Sequence, residues 1–342
     1  MTGAPPRFSV PRLIATCAVS AAVLAIALLL GTVFGAEPLT LADAFTADTP
    51  SSVILFALRI PRVVLAALVG AALAASGSTL QALMRNPLAD PFVLGVSGGA
   101  ALGATIALAL GVTSIAALPG LSAVSILALF GAVSATALVM GIGRLAGRGS
   151  PHTTLLAGVI FNAFALAAII FIKALVAPDK VGEVLFWLAG TLGYEKATTL
   201  WATFAVQLFA IGTMGILAGR LNLLSLGDED AASLGVDVNR TRTLLLGVAS
   251  LSVSAAVALS GLVGFVGLLV PHLARLALGP DQRLLLPASA LLGAAFLVLA
   301  DLGARVLFRV FHTEPPVGVI TALLGGPAFL LLLTRRARAQ ST

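Results

Sequence analysis

The sequence predicts an all-α protein threaded many times through a membrane, and three observations carry that prediction. Apolar residues fill 59% of its 342 positions and charged ones only 10%, against about 25% charged in a soluble domain. Apolar windows of roughly 20 residues, long enough to cross a hydrocarbon core, recur from end to end. Glycine appears 35 times, as it does where membrane helices pack backbone to backbone.

Taken in order, the predicted spans are 13–34, 53–82, 93–110, 120–143, 153–175, 198–219, 240–260, 263–278, 284–308 and 317–334. The first could be read as a signal segment, since Arg7 and Arg12 precede it. It is too long for a signal core and has no small-x-small cleavage site, so a retained span is expected. The seventh and eighth are separated only by the glycine-rich Ser260–Gly267, which leaves nine or ten spans arguable. Ten spans starting inside place 13 of the 20 Lys and Arg on the cytoplasmic side and 7 outside, as the positive-inside rule requires. Both termini are then cytoplasmic. With no linker-like tract, residues 1–342 read as one transmembrane domain.

Two connections stand out. An outer segment contains the short apolar piece Val184–Ala189, which suits an interfacial helix over about 183–190. An inner segment, about 221–238, is the only long polar connection. There Asp228, Glu229 and Asp230 open a short helical pattern that Gly235 would end, acidic residues favouring a helix start and Gly its C′ position.

Several classes of function are excluded. The basic residues, net charge +6, are scattered over helix ends and form no face for nucleic acid. The three lysines, Lys173, Lys180 and Lys196, follow no glycine-rich turn, so the chain has no P-loop. Cys17 is alone, which excludes an internal disulfide or a cysteine metal cluster. His152, His272 and His312 are too dispersed for a metal site, and a Ser97–His272–Asp301 triad would lack the nucleophile elbow. No catalytic residue, bound metal or cofactor is expected.

Charges inside spans are costly and usually have a purpose. Asp301 lies four residues before Arg305, so an internal ion pair is one reading. Arg59 and Arg62 share a helix face near the outer end of the second span. They either snorkel to headgroups or form an outward basic site for an acidic partner.

The pieces Leu58-Arg-Ile-Pro-Arg62, Gly70-Ala-Ala-Leu-Ala-Ala-Ser-Gly77 with Gln81, and Arg85-Asn-Pro-Leu-Ala-Asp-Pro91 with Leu94-Gly-Val-Ser-Gly-Gly-Ala100 then combine with later ones. These are Leu156-Ala-Gly-Val159 with Asn162, Phe186-Trp-Leu-Ala-Gly190, Leu226-Gly-Asp228, Ser233-Leu-Gly235, Gly264 to Arg275, Ala300-Asp301, Glu314-Pro-Pro-Val-Gly318 and Gly325-Gly-Pro327. In this order they resemble the FecCD-type permeases, membrane subunits of ABC importers for iron–siderophore complexes, haem and vitamin B12. Small departures are Leu192-Gly-Tyr194 after the outer helix, Pro315 and Gly326.

The resemblance implies a type II ABC importer permease fold in a bacterial cell membrane. It implies a pathway formed with a second copy, two cytoplasmic ATPase subunits using ATP and Mg, and an extracytoplasmic substrate-binding protein, with membrane lipid around it. Leu226, Gly227, Asp228, Glu229, Ala231, Ala232, Leu234 and Gly235 would couple to the ATPase. Arg59, Arg62 and Arg305 would meet acidic residues of the binding protein, Arg305 having Asp301 as a rival partner. Asn86 and Leu88, with the Ser150, Pro151, His152 and Thr153 turn, would form the cytoplasmic gate. Asn162, Leu166 and Ile169, at helical spacing, are candidates for the pathway wall or for plain packing. The implied cargo is a metal chelate, Fe(III)–siderophore first, with vitamin B12 or haem as alternatives. An ion-coupled secondary transporter is the alternative of another class, and Asp301 its one candidate carboxylate. Spans 2–5 and 7–10 run oppositely and could be inverted repeats.

Overall fold

A computed structural model describes residues 8–37, 44–46, 49–112, 122–145 and 151–340, without side chains at 144, 151, 152, 332, 333 and 335–340. Every regular element among them is helical. Ten helices are apolar enough to be spans: α1 (Val10–Val33), α2 (Pro50–Leu83), α3 (Val96–Ala109), α4 (Ala123–Leu145), α5 (Pro151–Leu175), α7 (Ala197–Ile216), α10 (Val238–Ser260), α11 (Val266–Leu278), α12 (Gln282–Phe311) and α13 (Val317–Gln340). Seven are long enough to cross alone, while α3, α11 and the apolar part of α13 are shorter. Between spans lie α6 (Pro178–Leu188), α8 (Ala218–Leu226) and α9 (Asp228–Ser233).

Two of these differ from expectation. The outer helix starts at Pro178, not near 183, because proline at the first helical position needs no N–H partner and presets φ. Its first turns are polar, so an apolar window sees only its second half. The inner connection is already helical from Ala218, before the acidic turn begins α9.

The centre is the pair α2 and α12, backed by α10 and α11. The apolar windows of α12 and α10 are 72% and 67% buried, whereas those of α1 and α5 are 17% and 22% buried, so the latter two belong to the rim. Small residues set the central seam. A Cβ added to Gly70 would strike the Gly293 carbonyl, and one on Gly77 would strike the backbone of Gly267. Without a hydrophobic force between helices in lipid, such close contact is what dispersion can use.

The two short spans share one construction. After α2 the chain makes a 3₁₀ turn, Pro91–Leu94, and Gly95 at φ +82° opens α3. After α10 an irregular stretch ends in Phe265 at φ +67°, which opens α11. A left-handed residue is routine for glycine and strained for phenylalanine.

Replacing Gly77 by Ala is expected to lower stability by about 1–3 kcal/mol, the usual cost of overpacking, seen as a lower melting temperature in detergent. Gly247→Ala, where an added methyl meets nothing within 4 Å, should leave the melt unchanged.

Candidate functional site

Three regions bring the candidate residues together. At the outer end, α2 begins with a π-helical stretch, Val53–Arg59, that delivers Arg59 and Arg62 inward. Asp301 on α12 is 0% exposed. Its Oδ1 accepts from Nε and Nη2 of Arg62 at 2.9 and 2.8 Å, and its Oδ2 from Nε of Arg305 at 2.9 Å. Arg62 also meets Glu314 of the α12–α13 turn, and its guanidinium stands 5.8 Å over the ring of Tyr194. Arg305 donates onward to the carbonyls of Gly31 and Phe34, and Arg59 to those of Thr32, Val33 and Glu37.

This corrects the picture of three outward docking charges. Arg59, Arg62 and Arg305 are each only 5% exposed, because their donors are taken by a buried carboxylate and by the C-terminal carbonyls of α1. Arg305 pairs with Asp301. What faces outward beside them is Tyr194, from the departing Leu192-Gly-Tyr194 segment, and the one-third exposed Glu314.

Deeper in the chain, both helix breaks line one groove of about 370 Å³, bounded by Asp90, Phe92 and Val93, by Val159 and Asn162, and by Gly264, Phe265 and Leu268. Non-helical backbone at such depth must be satisfied by protein or by a watery cavity. Asn162 does this at the first break, donating to the Phe92 carbonyl at 3.0 Å and accepting from the Gly98 N–H at 3.1 Å. At the second, the Thr191 N–H donates to the Ser260 carbonyl at 2.8 Å and the Ser260 hydroxyl to the Gly261 carbonyl at 3.1 Å, while Gln81 reaches the first turn of α11, its Nε2 3.2 Å from the Leu268 carbonyl and its Oε1 accepting from Arg275 at 3.2 Å.

The three wall candidates fall on one side of α5 at helical spacing but differ in burial. Asn162 lines the groove while bracing its backbone, Ile169 is packed away at 3% exposure, and Leu166 is 57% exposed at the edge of the buried stripe through Ala165 and Ile169.

At the cytoplasmic end, Arg85, at φ +48°, donates from Nε to the Leu224 carbonyl at 3.2 Å and meets Asp228 with Nη2. Asp228 also accepts from Arg242 at 2.7 Å. The hydrogen bond from Arg242, and then the nearby charges of Arg242 and Arg85, hold the Asp228 carboxyl below the usual carboxylate range despite partial desolvation. Gly227, at φ +152°, makes the hinge between α8 and α9 that a side chain would not accept. Asn222 donates to Asp281 at 2.7 Å and accepts from the Gln282 N–H at 2.8 Å, binding α8 to the start of α12. Arg283 and Asn222 hold Asp281 at about 2.

Of the coupling candidates, Leu226, Glu229, Ala232, Leu234 and Gly235 are exposed, with Leu226 at 63% and Leu234 at 59%. Gly227 and Asp228 are half-buried, and Ala231 is buried against the bundle, so Ala231 holds the helix down rather than presenting it. For the gate, Asn86 and Leu88 are exposed, the Asn86 side chain accepting from the Leu88 N–H at 2.9 Å in a tight turn. Thr153 is half-buried. Ser150 lies outside the described residues, as do the side chains of Pro151 and His152. The partners Glu314, Arg242 and Gln81 were not singled out by sequence reasoning as site residues, although Glu314 and Gln81 sit inside the quoted motifs.

A helical bundle with paired broken spans and a braced cytoplasmic helix is the architecture of a multi-pass transport protein. The chain belongs to the FecCD transport family, whose model matches residues 23–335. It is similar to the cobalamin import system permease protein BtuC of Halobacterium salinarum, 44% identical over 293 residues covering 85% of this chain and 76% of that one. The Fe(3+) dicitrate transport system permease protein FecC of Escherichia coli is 40% identical over 89% of this chain and 91% of its own. A solved structure described as an inward-facing metal-chelate type ABC transporter superposes with a TM-score of 0.81 at 29% identity, over 94% of this chain and 99% of that one. The chain is thus the permease of an ABC importer of the metal-chelate class, a transport subunit and not an enzyme.

Asp301→Asn should destabilise the protein by about 3–5 kcal/mol, since it leaves two buried guanidiniums without their shared counter-charge; a thermal melt in detergent measures it. Asp228→Asn should loosen α8 and α9, read as faster amide exchange over 218–235, at a cost of about 1 kcal/mol because the pair is half-exposed. A depressed carboxylate pKa stabilises above the unfolded value, near 4, and that share is lost as pH falls through the folded value. Protection of 218–235 should therefore persist down to about pH 4 and decline below it.

Proposed function

We propose that the chain works as one of two permease copies in an ATP-driven importer, with Fe(III)–siderophore as its cargo. The observation that carries this reading is the groove where both broken spans meet. Its lining is apolar apart from Asn162, which is engaged with backbone, and Asp90, whose carboxylate caps the Phe92 N–H at 2.8 Å. With its two polar side chains turned to backbone, such a surface offers no ligand set to hold a bulky chelate, so a cargo already selected elsewhere can pass. A pathway wall of this kind needs a second copy opposite it.

Selection then belongs to an extracytoplasmic binding protein seated on the outer platform of Tyr194 and Glu314, with Arg59, Arg62 and Arg305 beneath. Two cytoplasmic ATPase subunits, consuming ATP and Mg, dock on α8 and α9. Support for this comes from the exposed Leu226 and Leu234 on a short helix that Arg85, Arg242 and Asn222 keep from yielding. Asn86 and Leu88, exposed at the same end, form the cytoplasmic gate. Cobalamin is the second reading, favoured by the 44% identity to a cobalamin import permease. An ion-coupled mechanism loses its candidate, because Asp301 is held between two guanidiniums.

The test is uptake into proteoliposomes holding the permease and its ATPase, with binding protein added. ATP-dependent accumulation of an Fe(III)–siderophore, without cobalamin or haem, is expected. Accumulation of cobalamin instead would select the second reading, and accumulation without ATP would overturn the importer itself.

A further inference from the structure

Far from the groove at the breaks, on the rim of the bundle, α1, α2, α7 and α12 enclose a second groove of about 590 Å³. Its wall is almost entirely apolar. The one amide on it, Gln207, is turned to Ser252, donating to the Ser252 carbonyl at 3.0 Å and accepting from its hydroxyl at 2.6 Å. The groove runs along α1 from Leu13 to Leu24, along α7 from Phe204 to Gly215 and along α12 from Arg283 to Ala294. Each is a run of twelve positions, about 16 Å of helix from first to last, or roughly one leaflet of a hydrocarbon core about 30 Å thick. By the charge bias, the Leu13 and Arg283 end is cytoplasmic.

That end is also basic. Arg283 lines the mouth, its guanidinium 4.0 Å from the ring centroid of Phe8. Nε and Nη2 bond Asp281 at 3.0 and 2.7 Å, while Nη1 has no acceptor among the described residues, and the side chain is 45% exposed. Arg12 lies one residue before the groove-lining Leu13, and exposed Arg220 two residues after the groove-lining Ala218. Arg12 donates from Nη2 to the Leu278 carbonyl at 2.8 Å, and with Asp281 balancing Arg283 the exposed Arg220 leaves the mouth positive.

We propose that this groove is a binding site for one anionic glycerophospholipid of the inner leaflet. An acyl chain lies between α1 and α7, and the phosphate sits beside Arg283. A leaflet-long apolar cleft open to the bilayer is filled by hydrocarbon, and basic pockets between helices on the cytoplasmic side select acidic headgroups. The guanidinium plane suits phosphate in particular. The site is independent of the cargo and of the reading of the transport pathway.

Two glycines make the test clean. A Cβ added at Gly212, or at Gly215, meets nothing within 4 Å, so leucine can leave the backbone there undisturbed, project into the groove and improve helix propensity. The full chain is reconstituted in vesicles of phosphatidylcholine with phosphatidylglycerol, extracted, and its retained lipid counted by native mass spectrometry. One retained phospholipid per chain is expected, favouring phosphatidylglycerol roughly fivefold, the worth of one arginine beside an acidic headgroup. Gly212→Leu should abolish retention of both lipids, with Gly215→Leu as the second variant if the first folds poorly. Arg283→Gln should keep a lipid but remove the preference. Maleimide labelling of Cys17, which lines the groove, should be slower in the mixed vesicles than in phosphatidylcholine alone. Retention unchanged by filling the groove, or a preference that survives Arg283→Gln, would overturn the proposal.

Discussion

Asp301 is the constraint on which the outer half of this protein depends. A carboxylate with no solvent exposure, deep in an apolar bundle, survives only with its charge answered, and two arginines answer it from two helices. That arrangement carries one positive charge too many. The surplus is spread onto Glu314 and onto the last carbonyls of α1, which take donors from Arg59 and Arg305, while Arg309 bonds the Ala36 carbonyl just beyond. A helix C-terminus carries partial negative charge and unsatisfied acceptors, so Arg59 and Arg305 act as its cap. One network therefore fixes α1, α2, α12 and the turn before α13.

The same accounting explains the breaks. Each interrupted span exposes N–H and C=O groups that protein must satisfy: Asn162 does so at the first, and the Thr191 N–H with the Ser260 hydroxyl at the second. The two halves match in construction, a long span, an irregular stretch and a left-handed residue opening a short helix. They do not match in residues, since the left-handed position is Gly95 in one and Phe265 in the other. That is why a repeat suspected from topology leaves no visible trace in the sequence.

Spans were legible because hydropathy and length decide them almost alone, and the two helix breaks appeared as glycine and proline clusters for the same reason. Sidedness followed from counting arginines. Side-chain direction was not legible. Arg59 and Arg62 at i and i+3 look equally suited to face lipid, solvent or core. What turns them inward is a π-helical stretch and an aspartate 239 residues later than Arg62, neither visible in a local pattern. Helical spacing likewise groups Asn162, Leu166 and Ile169 on one side of α5 without saying where the buried stripe ends, and its edge lies between Ile169 and Leu166. Tyr194 could be seen as a departure from the family pattern, but its place against Arg62 needed the fold.

These contacts also bear on which parts of the protein can move. α2 carries Arg62 at its outer end and leads into Arg85 at its inner end, while α12 runs from Asp281 to Asp301 and Arg305. The two helices are locked at the outside by the ion network and at the inside through Arg85 with Asp228 and Asn222 with Asp281. Between the locks, Gly70 against Gly293 leaves no slack for sliding, and close-packed interiors transmit displacement rather than absorb it. The pair behaves as a strut from the outer platform to the cytoplasmic helix α8. Rearrangement during transport must then fall on elements with less holding them. Those are the breaks before α3 and α11 and the lightly buried rim helix α5 that supplies Asn162. Asn162 both ties the first break down and lines the groove, so a movement that carries α5 away from that break must first exchange those hydrogen bonds.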